Sequence, residues 1–305
     1  MFQYHKQLRS FHAVAKEGGF TAAADYLNVG QPTVTEQVRD LEDRFGVELF
    51  FRRGKSVGLT PAGEQLFSVT RGMFGHEEEA MQLLQNLNGH QTGLLRVGAV
   101  SPPIAIDLLA RVEQAFPDLK LDLSLSTEDE TLARIKDFEI DVGILALVSR
   151  DPRLHVAPYR SHPIVAIVHR DDPLAAKASI GLRELAAQPL ILREPSSKTR
   201  QVVEHAAERA GLKLRPKLEI NSREAIFHAV RAGMGLGFVT DIEFIELPEL
   251  RAVPIERDRL RIDYFLCCLA TRRERPIIAA LLEQAAEGRA KPSAAVSRRK
   301  RALAK

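Results

Sequence analysis

The stretch FTAAADYLNVGQPTVTEQVRDLEDRFGVELFFRR, Phe20 to Arg53, decides how the first part of this 305-residue chain folds. Ala23, Ala24 and Leu27 are small or apolar where a second helix would cross closely, and Thr21 is placed to cap the short helix that carries them. Asn28-Val29-Gly30 reads as a three-residue turn, with Asn28 or Gly30 able to take positive φ. Pro32 then stands where the first turn of a helix tolerates a missing N–H, and Val34, Val38, Leu41 and Phe45 recur at helical spacing. Two helices joined by such a turn form a helix-turn-helix. Just upstream, Leu8, Phe11, His12, Val14 and Ala15 predict a further helix that stops at Gly18-Gly19.

The residues opposite the apolar stripe separate a DNA reader from two merely packed helices. Gln31 can pair bidentately with adenine, Thr33 and Thr35 can meet phosphates or thymine methyls, and Arg39 can reach guanine or phosphate. An ordinary solvated helix face is the rival reading of the same side chains. Beyond the helix, Phe50-Phe51-Arg52-Arg53-Gly54-Lys55 is a basic turn suited to a phosphate-contacting wing, with Val57 and Leu59 as a short strand after it.

Taken with LTPAG at 59–63, the quoted stretch resembles, residue type by residue type, the winged helix-turn-helix of LysR-type transcriptional regulators over about sixty positions. The resemblance implies base or phosphate contacts for Gln31, Pro32, Thr33, Thr35 and Arg39, with Arg52 and Arg53 at the wing. Gly30 departs from the pattern, since the family commonly places serine before the Gln-Pro pair.

Thr60 caps and Pro61 opens a long helix that meets only Gly63, Gly72 and Gly75 before Asn88-Gly89. Leu66, Met73, Ala80 and Leu87 recur every seven residues, with Val69 and Leu83 between, so one seam is apolar enough to pair with a second helix. A two-fold dimer built on that seam would set two recognition helices on successive major-groove faces. The resemblance implies a homodimer or homotetramer assembled through this linker.

From Leu94 the pattern changes to short apolar runs, 94–100, 119–125 and 142–148, alternating with helical stretches at 104–116 and 130–138. A second unit repeats it, with strands at 164–168, 189–192, 218–221 and 235–240 and helices at 182–187, 199–210 and 223–232. Such runs predict an α/β fold with a mostly parallel sheet, arranged as two lobes joined by crossovers near 147–158 and 258–268 around a cleft. This resembles the periplasmic-binding-protein-like effector domain of the same family. The predicted organisation is a DNA-binding domain at 1–60, a dimerising linker at 61–89, a two-lobed effector domain at 90–288 and a basic disordered tail at 289–305.

Where strands give way to helices, free N–H groups and a positive dipole end favour an anion. That places Ser101, Pro102, Thr127, Ser196, Ser197, Thr199, Ser222 and Arg223 at the cleft, with Arg223 able to fork onto a carboxylate or phosphate. Each hydroxyl is also a candidate helix cap. SREAIFHAVRAGMGLGFV, HRDDPLA and LREPSSKTR resemble regulators linked to aminoethylphosphonate catabolism. That resemblance implies an organophosphonate effector, held by Arg193, Lys198 or Arg223 at one end and by Glu194 or Asp241 at its ammonium. The alternative is a small carboxylate or amino-acid-like metabolite.

The formal charge of +3 is no argument for DNA binding, because seven of the 43 basic residues follow Glu287 and the rest of the chain carries 36 against 40 acidic residues. The polar opening MFQYHKQLRS and the lack of a membrane-length apolar run predict a cytoplasmic protein with no membrane partner. Its expected partners are double-stranded DNA and a small-molecule anionic effector. Adjacent Cys267 and Cys268 are read as buried strand residues rather than a disulfide or metal site. Gly233-Met234-Gly235-Leu236-Gly237 follows a helix and enters a strand, the reverse of a nucleotide loop. The nine histidines, His162 and His169 among them, lack ligand spacing and are read as core or solvent residues. No Walker loop, HExxH or Gly-x-Ser-x-Gly occurs, so no enzyme activity, metal or cofactor is expected.

Overall fold

The computed structural model describes residues 4–53, 56–87, 93–146, 149–256 and 260–290. It divides into two compact units, Met1–Gly93 with Lys136–Glu139, and Leu94–Ile135 with Ile140–Lys305.

In the first unit, α1 (His5–Glu17) ends on Gly18, whose φ of 74° lets the chain turn out of the helix. α2 (Phe20–Leu27) starts from extended Gly19, so Thr21 lies inside its first turn and is not the expected cap. Asn28 takes the left-handed turn position at φ 54°, whereas Gly30 stays extended at φ −69°. α3 (Gln31–Phe45) has Pro32 in its first turn. β1 (Phe50–Arg53) and β2 (Ser56–Leu59) pair antiparallel as a hairpin, with Arg53 opposite Ser56.

Phe11, Val14, Ala23, Ala24, Val34, Val38, Leu41 and Leu49 form one core among these elements. Each fully buried large side chain there contributes about 1.5–3 kcal/mol, and the two alanines let α2 lie close to its neighbours. Phe45 departs from the expected stripe: it is 59% exposed and meets Tyr4 edge-on, because it falls at the end of α3 beyond the core.

α4 (Pro61–Leu87) begins under the Thr60 hydroxyl, which accepts the Gly63 N–H at 3.0 Å. Leu66 and Phe67 pack on the core just described, so Leu66 does not belong to the exposed seam. Val69, Met73, Met81 and Leu84 are exposed, as is Ala80. The Leu83 and Leu87 side chains lie outside the described residues.

The second unit contains β3 (Gly93–Ala99), α5 (Pro102–Ala115), β4 (Leu119–Leu125), α6 (Glu128–Lys136), β5 (Val142–Leu145) and the sixteen-residue β6 (Leu154–His169). Then come α7 (Leu182–Ala186), β7 (Leu190–Arg193), α8 (Lys198–Arg209), β8 (Pro216–Ile220), α9 (Arg223–Arg231) and β9 (Gly237–Thr240). β10 (Leu250–Pro254), β11 (Arg261–Leu269) and α10 (Pro276–Ala290) complete it.

The main sheet runs β10-β6-β11-β5-β3-β4, with β9 also paired to β6, and β7 pairs β8 separately. β3 and β5 are parallel, but β11 lies antiparallel to both β5 and β6, and β6 lies antiparallel to β9 and β10. The expected mostly parallel sheet is therefore mixed, because the two crossovers are long strands in their own right. Up to Pro163 β6 pairs with β11; from Ile164 it pairs with β9, so one strand runs through both lobes. The first crossing thus lies further along than the expected 147–158.

The strand expected to reach Val148 ends at Leu145, and residues 147–148 lie outside the described set. α10 packs over β6 and α5 through Ile278, Leu281 and Ala285 and runs on to Ala290. It therefore takes in 289 and 290, which the sequence assigned to the tail; the rest of that tail, 291–305, is outside the described residues. Cys267 and Cys268 are buried in β11, and burial pushes the Cys268 thiol up to about 11.

Candidate nucleic-acid interface and ligand cleft

α3 separates its two faces cleanly. Val34, Val38 and Leu41 are buried, while Gln31, Pro32, Thr33, Glu36 and Arg39 are exposed. Thr35 is half-buried, and its hydroxyl donates to the Gln31 carbonyl at 3.0 Å, a back-bond within the helix. Arg39 reaches only Asp43, at 3.6 Å, and is 79% exposed, so little holds it against a stronger anion. Gly30 precedes Gln31 in extended conformation, and no side chain caps the start of α3; the Thr33 and Val34 N–H groups contact only the Gly30 carbonyl. A helix end with this geometry suits a phosphate. Arg52 and Arg53 close β1 at the hairpin turn, whose Gly54 and Lys55 lie outside the described residues.

In the second unit the starts of α5, α6, α8 and α9 supply the candidate ligand groups, and the structure spends several of them internally. Ser101 precedes α5 but is buried, and its hydroxyl donates to Glu243 Oε1 at 2.7 Å. Arg223, at the first position of α9, places Nη2 2.9 Å from the same oxygen, and the Tyr264 hydroxyl lies 3.5 Å away. Arg223 is thus not the open fork expected, because a carboxylate of this chain already fills it. Burial beside Glu243 also pushes the Tyr264 phenol upward. Glu243 itself is held by the Thr240 N–H at 3.2 Å, in a capping box on the turn Asp241–Glu243.

The remaining candidates divide between caps and open groups. Ser222 accepts the Ala225 N–H and donates to Glu224. Thr127 exchanges hydrogen bonds with Glu130, the Glu130 N–H donating to its hydroxyl and its own N–H to the carboxylate. Ser197 is the N-cap of α8 with no side-chain bond, Thr199 is half-buried in the first turn and Ser196 is exposed. Pro102 is half-buried at the start of α5.

Arg193 forks onto Glu194 at 2.8 Å through both nitrogens, and Asp241 takes the His162 ring at 2.8 Å. Both acids expected to await an ammonium are therefore paired at home. His162 proves to be a buried partner of a carboxylate, and His169 stands 3.6 Å from Asp171.

Glu128 is a group the sequence reading missed. It accepts the Ala146 N–H at 2.9 Å, and burial raises its carboxyl against the opposing pull of that bond and of the nearby Lys198 charge. Lys198, at the start of α8, thus lies within electrostatic reach of the start of α6. Glu243 was missed as well, though Thr240-Asp241-Ile242-Glu243 carries the capping-box spacing that could have marked it. Among the described residues no group of His, Cys, Asp and Glu is arranged to hold a metal ion, and no helix is long and apolar enough to cross a membrane.

Comparison with known proteins covers both units. Residues 5–64 match the family model described as bacterial regulatory helix-turn-helix protein, lysR family, and residues 88–290 match the LysR substrate binding domain. The chain is 33% identical over 244 residues to the RuBisCO operon transcriptional regulator of Allochromatium vinosum, covering 79% of this chain and 80% of that one. A full-length OxyR variant from Pseudomonas aeruginosa shares the fold with a TM-score of 0.75 at 23% identity, over 91% of this chain and 93% of that one. CbnR, a LysR family transcriptional regulator, does so with a TM-score of 0.69 at 23% identity, over 93% and 98%.

Proposed function

Since the chain belongs to the LysR family of DNA-binding transcriptional regulators, we propose that α3 reads the DNA major groove through Gln31, Pro32, Thr33, Thr35 and Arg39, with Arg52 and Arg53 on flanking phosphates. The observation that carries this reading is the exposed polar face of α3 set directly opposite its buried stripe. Helices of two protomers paired along the exposed part of α4 would make a homodimer, or a homotetramer of two such pairs, acting in the cytoplasm where its operator lies.

The cleft of the second unit takes a small anionic effector, an organophosphonate in the reading favoured by its sequence. Lys198, Ser197 and Thr199 at the start of α8 would receive the anion, with Ser196 and Thr127 at the rim and Ser222 beside it. Arg223 joins them by sharing its guanidinium between Glu243 and the ligand, while Ser101 and Pro102 shape the floor. Effector binding then shifts the population between two lobe arrangements and so changes the spacing of the DNA-reading heads. The activity is one of binding, with no bond made or broken.

Gel-shift titration of the purified protein on its upstream intergenic DNA tests the first part. Gln31→Ala is expected to cost about 1–3 kcal/mol on the preferred site and little on random duplex; equal losses on both would demote Gln31 to a phosphate contact. Calorimetry tests the second part, with 2-aminoethylphosphonate expected to give binding heat and β-alanine, its carboxylate counterpart, none. The reverse pattern would replace the phosphonate with a carboxylate or amino-acid-like effector.

A further inference from the structure

Three features of the chain are costly on their own. Gly72 and Gly75 sit in the interior of α4, where each destabilises the helix by about 1 kcal/mol relative to alanine. Phe138, a bulky residue, holds a left-handed backbone at φ 63°. A single contact accounts for all three. The Phe138 ring lies over the two glycines: a Cβ on Gly75 would come within 2.6 Å of its Cδ1, and one on Gly72 within 3.5 Å of its Cε2. His76 meets the same ring edge-on at 5.4 Å between centroids, and Arg71 forms an ion pair with Asp137 beside it. Residues 136–139 accordingly belong with α4 in the first compact unit, although the chain on either side of them belongs to the second.

Those flanks matter. Ile135 and Ile140, which bracket the segment, are both fully buried, packed where Gly143 and Gly98 leave room. The segment also directly continues α6, whose nine residues make a rod about 13 Å long. At the other end of that rod stands Glu128, which accepts the Ala146 N–H and lies within electrostatic reach of Lys198 at the start of α8. A rigid element with one end at the cleft and the other keyed into α4 moves as a whole.

We propose that residues 136–139 are a coupling latch: Phe138, seated in the notch that Gly72 and Gly75 open in α4 and pinned by the Arg71–Asp137 pair, passes displacements of α6 to the helix that leads from the DNA-reading unit. The role of the cleft as its input rests on the effector reading above. The latch itself needs neither ligand nor DNA to be tested.

The test is a double-mutant cycle read by hydrogen exchange on the full chain. Glu128→Ala perturbs the cleft end of α6, and the readout is amide protection of α4 across residues 66–80. In the otherwise native chain, Glu128→Ala is expected to change that protection by about tenfold. In a Phe138→Ala background it is expected to change nothing further. Gly75→Ala, which forces the ring out from the other side, serves as an independent second background with the same expectation.

Equal responses with and without Phe138 would overturn the proposal, since the signal would then travel by another route. No response of α4 to Glu128→Ala in any background would overturn it as well. Failure of DNA or effector binding in the earlier assays would strike the functional reading and leave this cycle to be judged on its own result.

Discussion

His12 shows how a single side chain ties its environment to a measurable property. Its Nδ1 stands 3.2 Å from Thr70 Oγ1, and its ring packs against Phe67 and Phe74. Burial, with Lys16 and Arg71 nearby, pushes its pKa down from 6.5 to about 4. The folded state therefore favours the neutral ring, while the unfolded chain takes up a proton between those two values. Stability from this group is complete above pH 6.5 and is lost as the pH falls from 6.5 toward 4.

After allowance for solvent screening the loss is about 1–2 kcal/mol. His12→Leu is expected to flatten the urea midpoint of the amino-terminal unit across that window, and an unchanged slope would count against the assignment. The sequence placed His12 on a helical stripe, and its periodicity told that much. It could not tell that Arg223 would be claimed by Glu243, because that pairing depends on the turn after β9 coming back to the start of α9. The polar face of α3 was legible for the opposite reason, since helical spacing alone fixes which side chains oppose Val34, Val38 and Leu41.

At the scale of elements, the join between the hairpin and α4 is the tightest close approach in the first unit. A Cβ on Gly63 would lie 2.1 Å from the Leu49 carbonyl oxygen, which is backbone and cannot swing aside. Gly63→Ala is expected to destabilise that unit by about 2–3 kcal/mol, read as a lowered midpoint in denaturant unfolding; a neutral outcome would mean that α4 starts differently in solution. The sequence reading noted Gly63 only as a weak breaker, since nothing local announces a carbonyl from fourteen residues earlier.

β6 was cut short for a related reason. Pro158 and Pro163 in LHVAPYRSHPIVAIVH look like strand breakers. The structure accommodates Pro158 at a register shift against Tyr264 and Phe265, where Tyr159 is the extra residue. Tyr159 turns inward there, its hydroxyl donating to Asp107 and accepting from Arg111. α3 and α4 were legible because a proline in the first turn and apolar periodicity agree on each, whereas α2 was found from its small apolar residues and the turn at Asn28 although its expected cap was wrong. α10 was missed because Pro276–Ala290 is apolar and small on nearly every side, leaving no stripe to read.

For the whole molecule, charge decides less than shape. The chain up to Glu287 carries 36 basic against 40 acidic residues, so in the proposed reading DNA affinity rests on the few cations and helix ends of α3 and the hairpin, and it is expected to fall with salt in proportion to the phosphates they meet. Two such heads are expected to act in concert through α4, where Val69 is 68% and Leu84 58% exposed. Val69→Asp with Leu84→Asp should yield monomers in sedimentation velocity, while a fold unchanged by circular dichroism would show the loss to be one of assembly. Persistence of the dimer would move the interface elsewhere.

The most direct test is selection of binding sites by the full-length protein from a pool of random duplexes. The expected outcome is an enriched motif with two-fold symmetry, its half-sites spaced by whole helical turns, in which Gln31→Ala erases the preference at one base pair of each half. Enrichment of no motif, or of one that Gln31→Ala leaves intact in every position, would contradict it.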